Sequence, residues 1–170
     1  MIDFINVLID KDAAYVANGN VLFRVKSFKN YGILSERIIQ EQDSGSRVDV
    51  ETYKEDPNDF TLWKPSTDDE PGWDSPWGLG RPGWHLECSV MSEIVLGVPF
   101  DIHGGGNDLK FPHHDNEIAQ TCAYHNNESA ESFAKYWFHN GFLNLDNEKM
   151  SKSLGNVVYI DDLKKNFKGN

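Results

Sequence analysis

The apolar positions of the chain change period several times, and each change predicts a different element. Over residues 2–17, Phe4, Val7, Leu8, Ala14 and Val16 recur among polar positions at roughly helical spacing, which predicts an N-terminal helix. Asn18-Gly19-Asn20 breaks that pattern. Val21, Phe23 and Val25 then alternate with Leu22 and Arg24, the period of a short strand. Residues 35–59 are rich in Ser, Asp and Glu and poor in large apolar side chains, so they predict a surface excursion. Phe60 to Lys64 reads as a second strand, and the Pro- and Gly-rich stretch 65–83 as a structured loop.

The second half is more regular. Trp84 to Val95 predicts a helix that Gly97 ends. Val98 to Ile102 predicts a buried strand running into a glycine turn, His103-Gly104-Gly105-Gly106. Asp115 to Tyr124 predicts another helix, with Pro112 near its start. Phe133 to Phe142 is aromatic and predicted to be buried. Lys149 to Gly155 reads as a polar loop and Tyr159 to Phe167 as a last helix. Helix, strand, glycine turn and helix in succession imply an α/β fold with a parallel sheet.

Charge narrows the function. Among 170 residues, 16 are Lys or Arg and 27 are Asp or Glu, a formal charge of −11. That argues against a simple basic nucleic-acid-binding module, while leaving room for a local basic patch. No apolar run approaches the roughly 20 residues that span a bilayer. The N-terminus carries acids where an export signal carries basic residues. Cys88 and Cys122 are too few for a disulfide framework. A reduced, cytoplasmic protein is expected.

Three segments carry chemistry. In Phe111-Pro112-His113-His114-Asp115-Asn116-Glu117, His113 and Glu117 stand four apart at a helix start, so both lie on one face. Imidazole and carboxylate both ligate zinc, and the Cys88 thiol on a neighbouring helix would complete a mixed set. The same residues read equally as a helix N-terminus decorated with acids that suit its dipole. Cys122 has no such company and reads as a small buried apolar residue. The run Gly104-Gly105-Gly106 after a strand lets a flat ligand approach the backbone, and Asp108 is placed to accept from ribose hydroxyls. Many glycine runs are only turns. Finally, Lys149 and Lys152 in Lys149-Met150-Ser151-Lys152-Ser153 have the charge to neutralise a triphosphate, or form a solvated loop.

Taken in series, these segments resemble a known family. Lys149 to Ser153 resembles the signature loop of class I aminoacyl-tRNA synthetases. Trp77 to Cys88 (WGLGRPGWHLEC), Asp101 to Gly106 (DIHGGG) and Phe111 to Glu117 (FPHHDNE) narrow the resemblance to cysteinyl-tRNA synthetases, in order and in spacing. Asp115 stands where that family more often has Glu. The resemblance implies the second half of a Rossmann-like catalytic domain with part of a connective-peptide insertion. It divides the chain into 1–64 (insertion), 65–145 (catalytic half with zinc and adenosine sites) and 146–170 (signature loop and the start of a helical region).

It also implies roles. Cys88, His113 and Glu117 would hold one zinc ion that selects the substrate cysteine through its thiolate. Trp84 and His103 would line the amino-acid pocket with Cys88 and His113. Gly104, Gly105, Asp108 and Met150 would contact ATP, which acts with Mg. Lys152, helped by Lys149, would stabilise charge as pyrophosphate leaves. The implied reaction activates cysteine to cysteinyl-adenylate and transfers it to tRNA(Cys). The family's His-x-Gly-His-type motif, a further zinc-ligating cysteine and an anticodon-binding domain are absent from these 170 residues. The sequence therefore reads as an internal piece missing the N-terminal half of the catalytic domain. Little activity, an uncovered sheet edge and exposed apolar surface are expected of it.

Two other readings stay open. One is an ATP-dependent cysteine ligase of thiol biosynthesis with an amino-sugar acceptor. The other is a non-catalytic zinc-binding fragment. His114 reads as a partner that supports a metal ligand from behind, as a pocket residue, or equally as a solvated one. His85, His125 and His139 carry no assigned chemistry and read as surface or structural residues.

Overall fold

The computed structural model describes residues 1–37, 52–145 and 147–166. Most of the predicted excursion over 35–59 and the end of the last helix lie outside the described residues. In helix α1 (Ile2–Asp10), Phe4, Ile5 and Leu8 share one face, and all three are buried. The helix stops well short of residue 17. Ala14–Ala17 form strand β1, which pairs antiparallel with β2 (Asn20–Phe23). The cause is Asn18-Gly19, where φ is 53° and 77°. Positive φ at both central residues is the geometry of a two-residue hairpin turn whose twist matches its strands. The dipeptide is a hairpin, and Ala14 and Val16 belong to its first arm.

Strand β3 (Phe60–Pro65) pairs with β2, and β4 (Gly80–Pro82) with β3, giving a four-stranded antiparallel sheet in the order β1-β2-β3-β4. Asp59 fixes the entry to β3. Its buried carboxylate accepts from Tyr15 Oη at 2.7 Å, from Val25 N at 2.9 Å and from Asp56 N at 3.1 Å. The loop over 65–83 is structured by paired backbone bonds between Trp73 and Gly80, at 2.7 and 3.0 Å. A Cβ at Gly83 would collide with Thr61 O, so only glycine lets the chain pass β3 on its way into the next helix.

Helix α2 (Trp84–Leu96) ends at Gly97, where φ is 74°. Strand β5 (Phe100–Gly106) leads through a wide turn, Lys110–His114, into helix α3 (Asp115–His125). Strand β6 (Ala134–Asn140) pairs in parallel with β5, from Phe100↔Ala134 to Gly106↔Asn140. The glycine run is therefore strand rather than turn, and the chain turns after it, where Leu109 N donates to Gly106 O at 2.9 Å. The parallel pair agrees with a mixed α/β fold.

Burial along β6 departs from expectation. Phe133 and Ala134 are buried, while Tyr136 and Phe138 are 70 % and 64 % exposed. Side chains alternate across a strand. Trp137 and His139 face α3, and no described layer covers the face that carries Tyr136 and Phe138. Ile94, Val95, Leu96 and Ile102 are exposed as well. A short hairpin, β7 (Asn144–Leu145) and β8 (Glu148–Lys149), and helix α4 (Ile160–Asn166) complete the described chain.

One core joins the two sheets. Phe23 and Leu62 from the antiparallel sheet pack with Leu8, Leu86, Ile118 and Phe133. Leu62 is fully buried, so Leu62→Ala is expected to destabilise the chain by about 2–5 kcal/mol, through lost burial and an unfilled cavity. Urea unfolding reads this directly, and a loss below about 1 kcal/mol would contradict the packing described.

Candidate metal and nucleotide site

Helix α3 begins with an unusual run: His113 through Cys122 are all buried, though six of them are polar or charged before Thr121 is counted. Buried polar groups need partners, and most find them on neighbouring elements. Asp115 Oδ1 accepts from Leu34 N at 3.0 Å, and Asn116 Oδ1 from the Tyr31 hydroxyl. Gln120 Nε2 donates to Ser89 Oγ at 2.6 Å and to His85 O at 2.5 Å, and Ser89 Oγ donates to Glu117 O at 3.3 Å. These bonds seam α3 to α2 and fix which side chains meet between them.

Glu117 sits at the centre, with no exposed surface. Its Oε1 lies 2.6 Å from His113 Nε2 and its Oε2 lies 2.7 Å from His103 Nε2. These are ion-pair distances, yet both carboxylate oxygens and His103 Nε2 lack a well-directed hydrogen bond among the described residues. Burial alone would raise the carboxyl pKa. The hydrogen-bonding and charge interactions with His103 and His113 outweigh it and hold Glu117 at about 2. Cys88, one turn past His85 on α2, brings its thiol to the same place. Ligand atoms of Cys88, His113 and Glu117 lie within 4.8 Å of one another. Burial and the neighbouring Glu117 charge push the thiol up to about 11. A metal taken up here must displace that proton, so uptake weakens as pH falls.

The residues fit zinc. A thiol, an imidazole and a carboxylate converge, which is a zinc donor set. The poorly satisfied, buried carboxylate is a group that a cation would neutralise. Trp84 stacks on His113 with ring centroids 4.0 Å apart and remains half exposed, so it forms one open wall. His103 reaches the cluster from β5.

Two histidines without an expected role, His85 and His139, also belong here, together with His114. His85 Nδ1 is 2.6 Å from His113 Nδ1, and His114 Nδ1 is 2.8 Å from His139 Nε2. Burial holds both His85 and His114 down at about 4, so both are neutral at physiological pH. The signal for His85 was its spacing: His85 and Cys88 stand three apart on α2, hence on one face. His125 stays outside the cluster and pairs with Glu93 at 3.1 Å.

The nucleotide candidates are gathered only in part. Gly106, Asp108, Asn140, Phe142, Lys149 and Met150 line a cavity of about 270 Å³ at the carboxyl end of β5 and β6. Lys149 Nζ lies 3.6 Å from the Phe142 ring centroid. Gly104 is exposed on β5, and Gly105 packs beneath His114. Lys152 is exposed and does not line the cavity. Asn156 organises the signature loop, accepting from Ser151 N at 2.8 Å and donating to Lys149 O at 3.3 Å.

Residues 1–170 match the family described as tRNA synthetases class I (C) catalytic domain. The chain belongs to this family. It is 56 % identical to a cysteine–tRNA ligase of Phenylobacterium zucineum over 170 residues, which are 99 % of this chain and 36 % of that protein. It is 58 % identical over 170 residues to a cysteine–tRNA ligase of Pelagibacter ubique, covering 99 % and 37 %. For that of Bacillus licheniformis the identity is 56 % over 163 residues, covering 96 % and 34 %. The chain thus spans about a third of the length of the curated relatives it matches. No helix among the described residues is long and apolar enough to cross a membrane.

Proposed function

We propose that this chain forms the thiol-recognising and part of the ATP-binding portion of a cysteine–tRNA ligase. One observation carries the reading: Cys88, His113 and Glu117 converge within 4.8 Å beside the glycine-rich end of β5. Cys88, His113 and Glu117 would hold zinc, which when bound supplies a soft centre that takes a thiolate in preference to a hydroxyl. Trp84 walls the pocket, and its stacking on His113 restrains that ring. His85 holds the far nitrogen of the same ring and so sets which nitrogen faces Glu117.

The substrate carboxylate is itself the nucleophile toward the ATP α-phosphorus, so no general base is required. Bond formation there expels pyrophosphate, and a tRNA terminal hydroxyl then attacks the adenylate carbonyl and releases AMP. Asp108 serves the ribose, and Lys149 and Lys152 counter phosphate charge, with Mg accompanying ATP. Lys149 already lines the cavity, whereas Lys152 does not. The relatives share the ligase name, which favours tRNA over an amino-sugar acceptor.

The test is amino-acid binding to the zinc-loaded chain by calorimetry. Cysteine is expected to bind and serine to bind roughly a hundredfold or more weaker, since size alone separates such similar molecules poorly. Equal binding of the two would overturn the reading.

A further inference from the structure

Phe142 carries no role in the function proposed above, yet it lines the cavity at the carboxyl end of β5 and β6 together with Lys149. The Lys149 ammonium sits over its ring, with Nζ 3.6 Å from the centroid. We infer that Phe142 is a positioning residue: its ring face selects the Lys149 rotamer that presents the ammonium to a polyphosphate in this cavity. The backbone around the contact is pinned. Asn144 and Lys149 pair across the β7–β8 hairpin. Met150 N donates to Leu143 O at 2.9 Å, and Asn156 Nδ2 donates to Lys149 O at 3.3 Å. Residues 142–143 and 149–150 are thereby held side by side, and the Lys149 stem is the part left to move.

A solvated lysine stem spreads over many rotamers, and ordering it on binding costs affinity. The negative face of an aromatic ring attracts an ammonium and removes part of that cost in advance. A carboxylate in the same place would hold the lysine more firmly, but it would also repel the phosphate. The ring has no net charge, and Phe142 is 45 % exposed, so the ammonium is held without being buried. The inference rests on the nucleotide part of the proposed function and names the group that presents its phosphate-countering cation.

The experiment labels the lysine ε-carbons with ¹³C and follows Lys149 by NMR, its signal assigned by its loss in Lys149→Gln. Protons held over a ring face are shielded, so the Lys149 ε-protons are expected upfield of every other lysine in the free chain, and Mg-ATP is expected to move them. Phe142→Leu keeps the bulk without the ring. It is expected to lose the upfield shift and to weaken Mg-ATP binding roughly two- to fivefold, the factor that an exposed cation–π contact is worth. Phe142→Tyr restores a ring and is expected to keep both the shift and the affinity. An ordinary lysine signal in the unaltered chain overturns the inference. So does an affinity that is unchanged in Phe142→Leu, or that falls equally in Phe142→Leu and Phe142→Tyr. A shifted signal that Mg-ATP leaves unmoved overturns it too, and selective cysteine binding would then show that the thiol reading has not fallen with it.

Discussion

Glu117→Gln is expected to weaken zinc binding by roughly a hundredfold or more, about 3 kcal/mol, the share of one ligand in a structural-type zinc site. The side chain keeps its size, so the packing between α2 and α3 is preserved and the change is chemical. An amide has one weaker acceptor where the carboxylate has two charged ones. It also removes the negative charge that His103 and His113 both face at under 3 Å. Competition against a chromophoric chelator measures the loss. Cys122→Ser is the matched control, because that buried thiol contacts Ser129 O and Ser132 Oγ and takes no part in the cluster. If Glu117→Gln binds zinc within threefold of the unaltered chain, the carboxylate is not a ligand, and the site must be rebuilt around Cys88 and the histidines.

The comparison of sequence with structure shows which parts of this site local rules carry. His113 and Glu117 were legible because a four-residue interval on a helix start fixes a shared face whatever the rest of the chain does. Helix α2 was legible for the same reason, with Gly97 as its stop. The Asn18-Gly19 hairpin was misread because Ala14 and Val16 continue a helical interval by accident, and the turn chemistry of Asn-Gly is the stronger local signal. The glycine run was taken for a turn because glycine is rare inside strands. Here it lies in β5 where His114 and Asp108 press against the backbone. The pairing of His85 with His113, and of His139 with His114, spans 28 and 25 residues. Tertiary packing decides such partners, and no interval along the chain encodes them. The exposure of Tyr136 and Phe138 is of the same kind, since an aromatic run says nothing about which of its faces is covered.

The metal-free chain is expected to lose stability at mild acidity, in two stages. Burial, reinforced by the charges of neighbouring imidazoles and partly offset by Glu117, holds His114 at about 4; His85 is depressed to the same value by burial and by His113. In the unfolded chain both titrate near 6.5. Between these values the unfolded state binds more protons than the folded one, so stability falls as pH drops from about 6.5 to 4. For the almost fully buried His114 the loss is roughly 2 kcal/mol by pH 5. Glu117 acts lower: its folded value of about 2 lies below the ordinary 4.5, so its contribution is intact above pH 4.5 and drains away toward pH 2. Urea midpoints at pH 7.5, 6, 5 and 4 resolve the first stage. His114→Asn, which keeps a polar group against His139 but cannot titrate, is expected to roughly halve the slope between pH 6.5 and 5, His85 supplying the rest, and to leave the later stage in place. A midpoint that stays level from pH 7.5 to 5 in the unaltered chain would mean that these imidazoles are hydrated in solution and that the polar layer between α2 and α3 is open.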